Sequence, residues 1–288
     1  MYNIISLGDS MKILEELITN QTNILNLSDK YITENKKNSI IDIMPNLARK
    51  YYSKMYYKNG IWYYFKKDIE YGFYPFTISE ELIGTYLANI LDLETVKYEI
   101  AKTKNNYGIA SQNFKTTDNN YYTFYDLVDI EINDNIDILK LLITKENYQI
   151  LLDQIFKLLA LDTYMLQQDR CNINLQFKQN IKTKELQLAP IYDYANCNLS
   201  VKDTYITKNV LFNVTEGNIN ELVERYPKYK EYISILLSHS LKNIWEQICI
   251  DYKLNMDCFT YDRVKDYYEL KEENQKIYLK KIINDIHL

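Results

Sequence analysis

Glycine and proline are scarce in this chain, six and four in 288 residues, and no repeat or low-complexity linker is visible. Cysteine is equally sparse: Cys171, Cys197, Cys249 and Cys258 show no C-x-x-C spacing, and only His239 and His287 could join them around zinc. That set argues against a zinc or disulfide framework and for free thiols in a reducing compartment. There is no apolar run of transmembrane length, and Met1-Tyr2-Asn3 opens neither a basic n-region nor a signal peptide. The expected setting is away from any membrane, in the cytoplasm or reached by an export route that needs no signal peptide. Positive charge is not in excess either. The formal net charge of −5 argues against broad nucleic-acid binding, and the local cluster Arg49-Lys50 and Lys54 does not reverse it.

What is abundant is tyrosine, 29 residues, which with the many Asn, Ile and Lys reads as codon bias in an AT-rich genome rather than as a site. Hydrophobic residues at 47% and charged residues at 25% are ordinary for a folded globular protein. The length suits one large domain or two lobes around a cleft.

The chain is organised around the stretch from Leu151 to Ala195. Leu151, Leu152, Ile155, Leu158, Leu159 and Leu166 recur at helical steps, predicting an amphipathic helix that ends in Gln167-Gln168-Asp169-Arg170-Cys171-Asn172. Ile173, Leu175 and Phe177 then alternate, as do Leu186 and Leu188, predicting a β-hairpin that leads into Ala189-Pro190-Ile191-Tyr192-Asp193. Asp169 and Asn174 form a D-x-x-x-x-N run, the spacing of a kinase catalytic loop, and Asp193 supplies a second carboxylate one hairpin later. Transfer of a γ-phosphoryl group needs such a set, because dispersed negative charge must be neutralised by a metal while the nucleophile is oriented. On this reading Asp169 is the base, and Asn174 and Asp193 are metal ligands. The plain alternative is a polar loop after a helix and an Asp in a turn, and D-x-x-x-x-N alone carries little.

These residues resemble the kinase domain of the HipA-like family, whose loop has the form D-x-H-x-x-N and whose metal Asp lies in a P-x-Y-D motif. Asp169, Asn174, Pro190, Tyr192 and Asp193 match in place, whereas Cys171 stands where the family has His. The resemblance spans about residues 50 to 240 and is sharp only from 169 to 193. It implies an α+β, two-lobed protein-kinase-like fold: a small β-rich N-terminal lobe over residues 1–115 and a larger helical C-terminal lobe over 116–288. It also implies ATP and Mg²⁺ as cofactors, a protein substrate bearing a Ser or Thr hydroxyl, and an antitoxin partner or an effector role.

The earlier sequence is read in that light. Residues 9 to 45 carry helical spacing and read as a helical lead-in. The turn Lys58-Asn59-Gly60 joins YYSKMYY to IWYYFKK, and Asn-Gly is a strong hairpin signal. In a kinase the Lys at the end of the second strand grips phosphates; Lys66 is that residue here, with Lys67 its rival and a solvated strand end the default for either. A helix beginning at Thr77 or Ser79 carries Glu81 as the partner of Lys66, since Glu81 to Leu93 resembles the family's E-x-L-x-x-x-L-A-x-x-L-G-L helix with Asp92 in place of Gly. A first-turn Glu serving only the helix dipole would look the same. Val96, Tyr98 and Ile100, then Tyr107, Ile109 and Ser111, predict a second hairpin. By the resemblance, the backbone of Gln112, Asn113 and Phe114 holds the adenine, and a phosphate-covering loop falls at Arg49 to Lys54, which lacks glycine. Two other functional classes fit the same residues: a nucleotide-binding pseudokinase acting as an interaction module, and a lipid or small-molecule kinase.

Overall fold

The structure is a computed structural model that describes residues 18–27, 53–67, 77–123, 149–165, 167, 170, 174–194 and 226–255. Of the phosphate-covering loop expected at Arg49 to Lys54, residues 49–52 lie outside the described residues, whereas Ser53 and Lys54 belong to a strand. Asp169, Cys171 and residues 195–225 and 256–288, with the helices expected at 219–225 and 261–286, also lie outside the described residues.

Two compact units share the chain. The first takes Met1–Ile83, Val96–Phe114 and Leu241–Glu269; the second takes Gly84–Thr95, Lys115–Ser240 and Leu270–Leu288. Helix α4 (Leu241–Tyr252) joins the first unit because Tyr252 Oη donates to the Tyr98 carbonyl (3.0 Å), while Thr19 and Thr22 both donate to the Lys253 carbonyl. The segment after Ile83 joins the second unit because the Ile191 N–H donates to the Glu94 carbonyl (2.8 Å) and Lys178 pairs with the Glu94 carboxylate.

The first unit is built on a five-stranded sheet in the order β1-β4-β5-β3-β2, with β1 Leu25–Asn26, β2 Ser53–Lys58, β3 Ile61–Lys67, β4 Tyr98–Lys102 and β5 Tyr107–Gln112. The β2–β3 turn holds Asn59 at φ 51° and Gly60 at φ 83°, the two positive angles that a tight hairpin of right-handed twist requires. Because neighbouring strand residues face opposite ways, Tyr63 and Phe65 pack with Tyr56, Ala110, Ala101 and Leu27 on one face, and Tyr64 and Lys66 lie on the other. Residues 18–27 correct one expectation. They are not helical: β1 pairs in parallel with β4, and the Leu27 N–H donates to the Lys102 carbonyl (2.7 Å). Sealing the β4 edge, with Leu27 buried beside Ala101, outweighs the helical spacing upstream.

Helix α1 (Thr77–Ile90) starts at Thr77, so Ser79 lies within its first turn. It stops in a Schellman arrangement: the Leu93 N–H reaches the Ala88 carbonyl and the Asp92 N–H the Asn89 carbonyl, with Asp92 at φ 54°. Glycine enters such a left-handed cap position at no steric cost, whereas Asp92 does so at some cost.

In the second unit α2 (Gln149–Met165) is buried at every residue from Leu158 to Met165, so it is a core helix rather than one with a single apolar stripe. Beside it runs a three-stranded sheet in the order β6-β7-β8, with β6 Asn119–Thr123, β7 Gln176–Asn180 and β8 Leu186–Leu188. The sequence reading had no strand at β6. Helix α3 (Pro227–Leu237) docks on α2 through Tyr232 Oη and Lys228 Nζ, which donate to Asp153 at 2.6 and 3.0 Å, and through a 2.7 Å bond between Thr163 and Tyr229 hydroxyls.

Candidate active site

Of the residues singled out from the sequence, Lys66 and Glu81 meet in the first unit, and Asn174 and Asp193 belong to the second. In the first, Lys66 Nζ lies 2.6 Å from Glu81 Oε1. The sheet sets this up: Lys66 is opposite Ile109 in register, on the face shared with Tyr64, and Gly108 next to it lacks the Cβ that would stand 2.1 Å from the Lys66 carbonyl. Lys67 points the other way and is exposed. Glu81 is fully buried, and its second oxygen accepts from Tyr98 Oη at 2.7 Å. A buried carboxylate persists only when paired and hydrogen-bonded, and here Lys66 provides the charge and Tyr98 the second donor. Tyr98 was missed as a site residue. Its position opposite Ser111, in register with Tyr64 and on the Lys66 face, would have been the signal.

Gln112, Asn113 and Phe114 leave the same sheet at the end of β5. The Asn113 N–H is committed to the Trp62 carbonyl (2.9 Å), continuing the β3–β5 ladder, and Gln112 Nε2 donates to Glu99 (3.2 Å). An adenine contact from this segment therefore cannot use the Asn113 N–H.

In the second unit the β7–β8 hairpin brings Asn174 and Asp193 to one end. Phe177 pairs with Leu188 and the Ala189 N–H donates to the Gln176 carbonyl, so residues before β7 and after β8 leave the ladder side by side. Gln176 Nε2 donates to Tyr192 Oη (2.9 Å), fastening the two exits together. Asp193 has φ 61°, the left-handed region that a non-glycine residue enters at some cost and that recurs at functional positions. Asn174 and Asp193 offer an amide oxygen and a carboxylate. Hard oxygen donors of this kind suit Mg²⁺, which binds through one or two carboxylates and completes its shell with water and phosphate.

Asp169 is outside the described residues, but Gln167 and Arg170 on either side of it are described, and both are buried. Arg170 is fully enclosed. Its Nε and Nη2 donate to the two Asp162 oxygens at 3.1 and 3.0 Å, its Nη1 donates to the Tyr192 carbonyl at 2.8 Å, and its guanidinium lies 5.5 Å from the Tyr194 ring centre. Burial opposes the Arg170 charge, but the Asp162 carboxylate and its hydrogen bonds outweigh that and hold the pKa above its ordinary value. Gln167 Nε2 donates to the Asp193 carbonyl at 3.3 Å. The Tyr194 ring lies over α1 at Gly84, where a Cβ would come within 2.2 Å of it. None of Asp162, Arg170 and Tyr194 was singled out from sequence as a site residue.

No family model matches the chain, and no curated protein matches it in sequence. Solved structures do. The chain is similar to Shewanella oneidensis HipA, from a toxin–antitoxin complex with HipB and operator DNA, with a TM-score of 0.58 over 99% of this chain and 73% of that one at 10% identity. It is also similar to the Helicobacter pylori proinflammatory kinase CtkA, with a TM-score of 0.53 over 92% of this chain and all of that one at 16% identity. The chain thus has the α+β kinase-like fold of HipA and CtkA that its loop residues pointed to.

Proposed function

We propose that the chain is an ATP- and Mg²⁺-dependent protein kinase of HipA-like type that phosphorylates Ser or Thr hydroxyls, its own included. The observation that carries this reading is the Lys66–Glu81 pair, a strand lysine held by a helix glutamate that is itself fully buried. Lys66, aimed by Glu81, binds the phosphates of the nucleotide, and the main chain of Gln112 to Phe114, the Asn113 N–H excepted, holds the base. Asn174 and Asp193 are the ligands for Mg²⁺, whose chemistry is to neutralise charge on the β- and γ-phosphates. Asp169 orients the substrate hydroxyl and takes its proton as that oxygen bonds to the γ-phosphorus and the bond to the β-phosphate oxygen breaks, giving ADP and a phosphoester.

The protein partner on this reading is either the bearer of the phosphorylated hydroxyl or an antitoxin, by analogy with HipB in the HipA complex. The chain's own acidity supports no direct contact with nucleic acid. No described helix is long and apolar enough to cross a membrane.

The test combines a thermal shift by ATP with and without Mg²⁺ and transfer of labelled γ-phosphate to the protein itself and to a cell lysate. Wild type should be stabilised by ATP–Mg²⁺ as [L]/Kd grows, and Asp193→Ala should lose the Mg²⁺-dependent part. Asp169→Asn should bind ATP like wild type yet transfer roughly 10²-fold less. Absence of any shift at millimolar ATP would sink the reading. Binding without labelling would point to the pseudokinase.

A further inference from the structure

We infer that Arg170, seated on Asp162, is a positioning residue that fixes the backbone around Asp193 and so ties the metal carboxylate to the loop that carries Asp169. The inference rests on the kinase reading above and extends it to residues that reading does not use. Three consecutive residues are held from one place: the Tyr192 carbonyl by Arg170 Nη1, the Asp193 carbonyl by Gln167 Nε2, and the Tyr194 ring by the Arg170 guanidinium. The two holders bracket Asp169 in sequence, one residue and two residues away.

A merely structural role explains this poorly. A fully buried ion pair adds little net stability over a well-packed apolar one, because both charges must be stripped of water. Asp162 and Arg170 are both completely enclosed, and Asp162 sits in a helix whose other buried positions nearby are mostly apolar. What the pair supplies that a pair of leucines could not is direction. The bidentate contact with Asp162 through Nε and Nη2 fixes the plane of the guanidinium, and the fixed plane aims the third nitrogen, Nη1, at the Tyr192 carbonyl. That carbonyl belongs to the peptide that enters Asp193, whose φ of 61° must be imposed by its surroundings. Outer groups that orient a metal ligand carry weight of this kind at many metal sites.

The experiment uses Arg170→Lys, which keeps a positive charge opposite Asp162 but loses the fork, and Gln167→Met, which removes only the donor to Asp193. Binding of Mn²⁺ is followed by electron paramagnetic resonance in the presence of a non-hydrolysable ATP analogue, and binding of the analogue in EDTA by thermal shift. Arg170→Lys should weaken Mn²⁺ binding about 10- to 100-fold, the scale seen when an outer partner of a metal ligand is lost. Its affinity for the analogue without metal should change less than about twofold, and Gln167→Met should shift Mn²⁺ the same way by a smaller factor. If both variants lower the melting temperature while Mn²⁺ affinity stays at the wild-type value, the pair is structural and the inference falls alone. If Arg170→Lys does not fold, unchanged Mn²⁺ affinity in Gln167→Met overturns it. If wild type binds no Mn²⁺ with the analogue, the kinase reading fails and the inference fails with it.

Discussion

Tyr98→Phe is the most direct probe of the Lys66–Glu81 pair, because it removes one oxygen and almost no volume. Tyr98 Oη donates to Glu81 Oε2 at 2.7 Å, Glu81 is fully buried, and the Tyr98 ring is itself buried in β4. Removing one donor to a buried carboxylate costs about 1.5–3 kcal/mol, the range for hydrogen bonds to charged groups. For a chain of this size each kcal/mol moves the melting temperature by roughly 2–4 °C, so the expected loss is roughly 3–12 °C. The same change made in a Glu81→Gln background should cost less, about 0.5–1.5 kcal/mol, because the acceptor is then a neutral amide. The coupling between the two positions, read from a double-mutant cycle by thermal or denaturant unfolding, isolates the charged part of the bond. A melting temperature within a degree of wild type, or the same loss in both backgrounds, would refute the claim that Tyr98 supports the buried carboxylate.

Other outcomes follow from the same geometry. Lys66→Ala should abolish phosphoryl transfer while Lys67→Ala leaves most of it, since only Lys66 shares a face with Glu81; labelled-phosphate assays showing the reverse would overturn the strand assignment. Gly84→Ala would raise helix propensity by roughly 1 kcal/mol at an open site, yet here the new Cβ meets the buried Tyr194 ring, so the denaturant midpoint should fall instead. For Asp153, burial pushes the pKa up, but the Tyr232 hydroxyl and Lys228 outweigh it and hold it below the ordinary carboxylate value. Its contribution is therefore present above the unfolded pKa of about 3.9 and lost as pH falls through the lower folded value. Asp153→Asn should lower the melting temperature at neutral pH, and the gap to wild type should close in acid below about pH 4.

The parts of this fold that could be read from sequence are those whose physics is local. Asn59-Gly60 announces a hairpin because both residues accept positive φ, and they take it. Tyr63 and Phe65 alternate with Tyr64 and Lys66 because a strand has two faces, so choosing between Lys66 and Lys67 was a question of parity that a neighbouring helix glutamate could settle. The parts that stayed hidden depend on partners far along the chain. The two residues of β1 are too few to show any period, and their strand exists only because the β4 edge, about 75 residues later, has donors and acceptors to satisfy. Asp162 and Arg170 look like ordinary charges, one in an apolar helix and one in a polar loop; only the fold, by enclosing both, forces them to face each other. Tyr98 was masked by composition, as one tyrosine among 29, and becomes distinct only through the carboxylate its hydroxyl reaches. The candidate site thus divides along a physical line. Groups that would touch nucleotide or metal sit in recognisable local spacings, because chemistry constrains their types. The groups that aim them are chosen by tertiary contact, so any pair able to span the same gap with the same donors would serve, and the sequence carries no fixed mark of them.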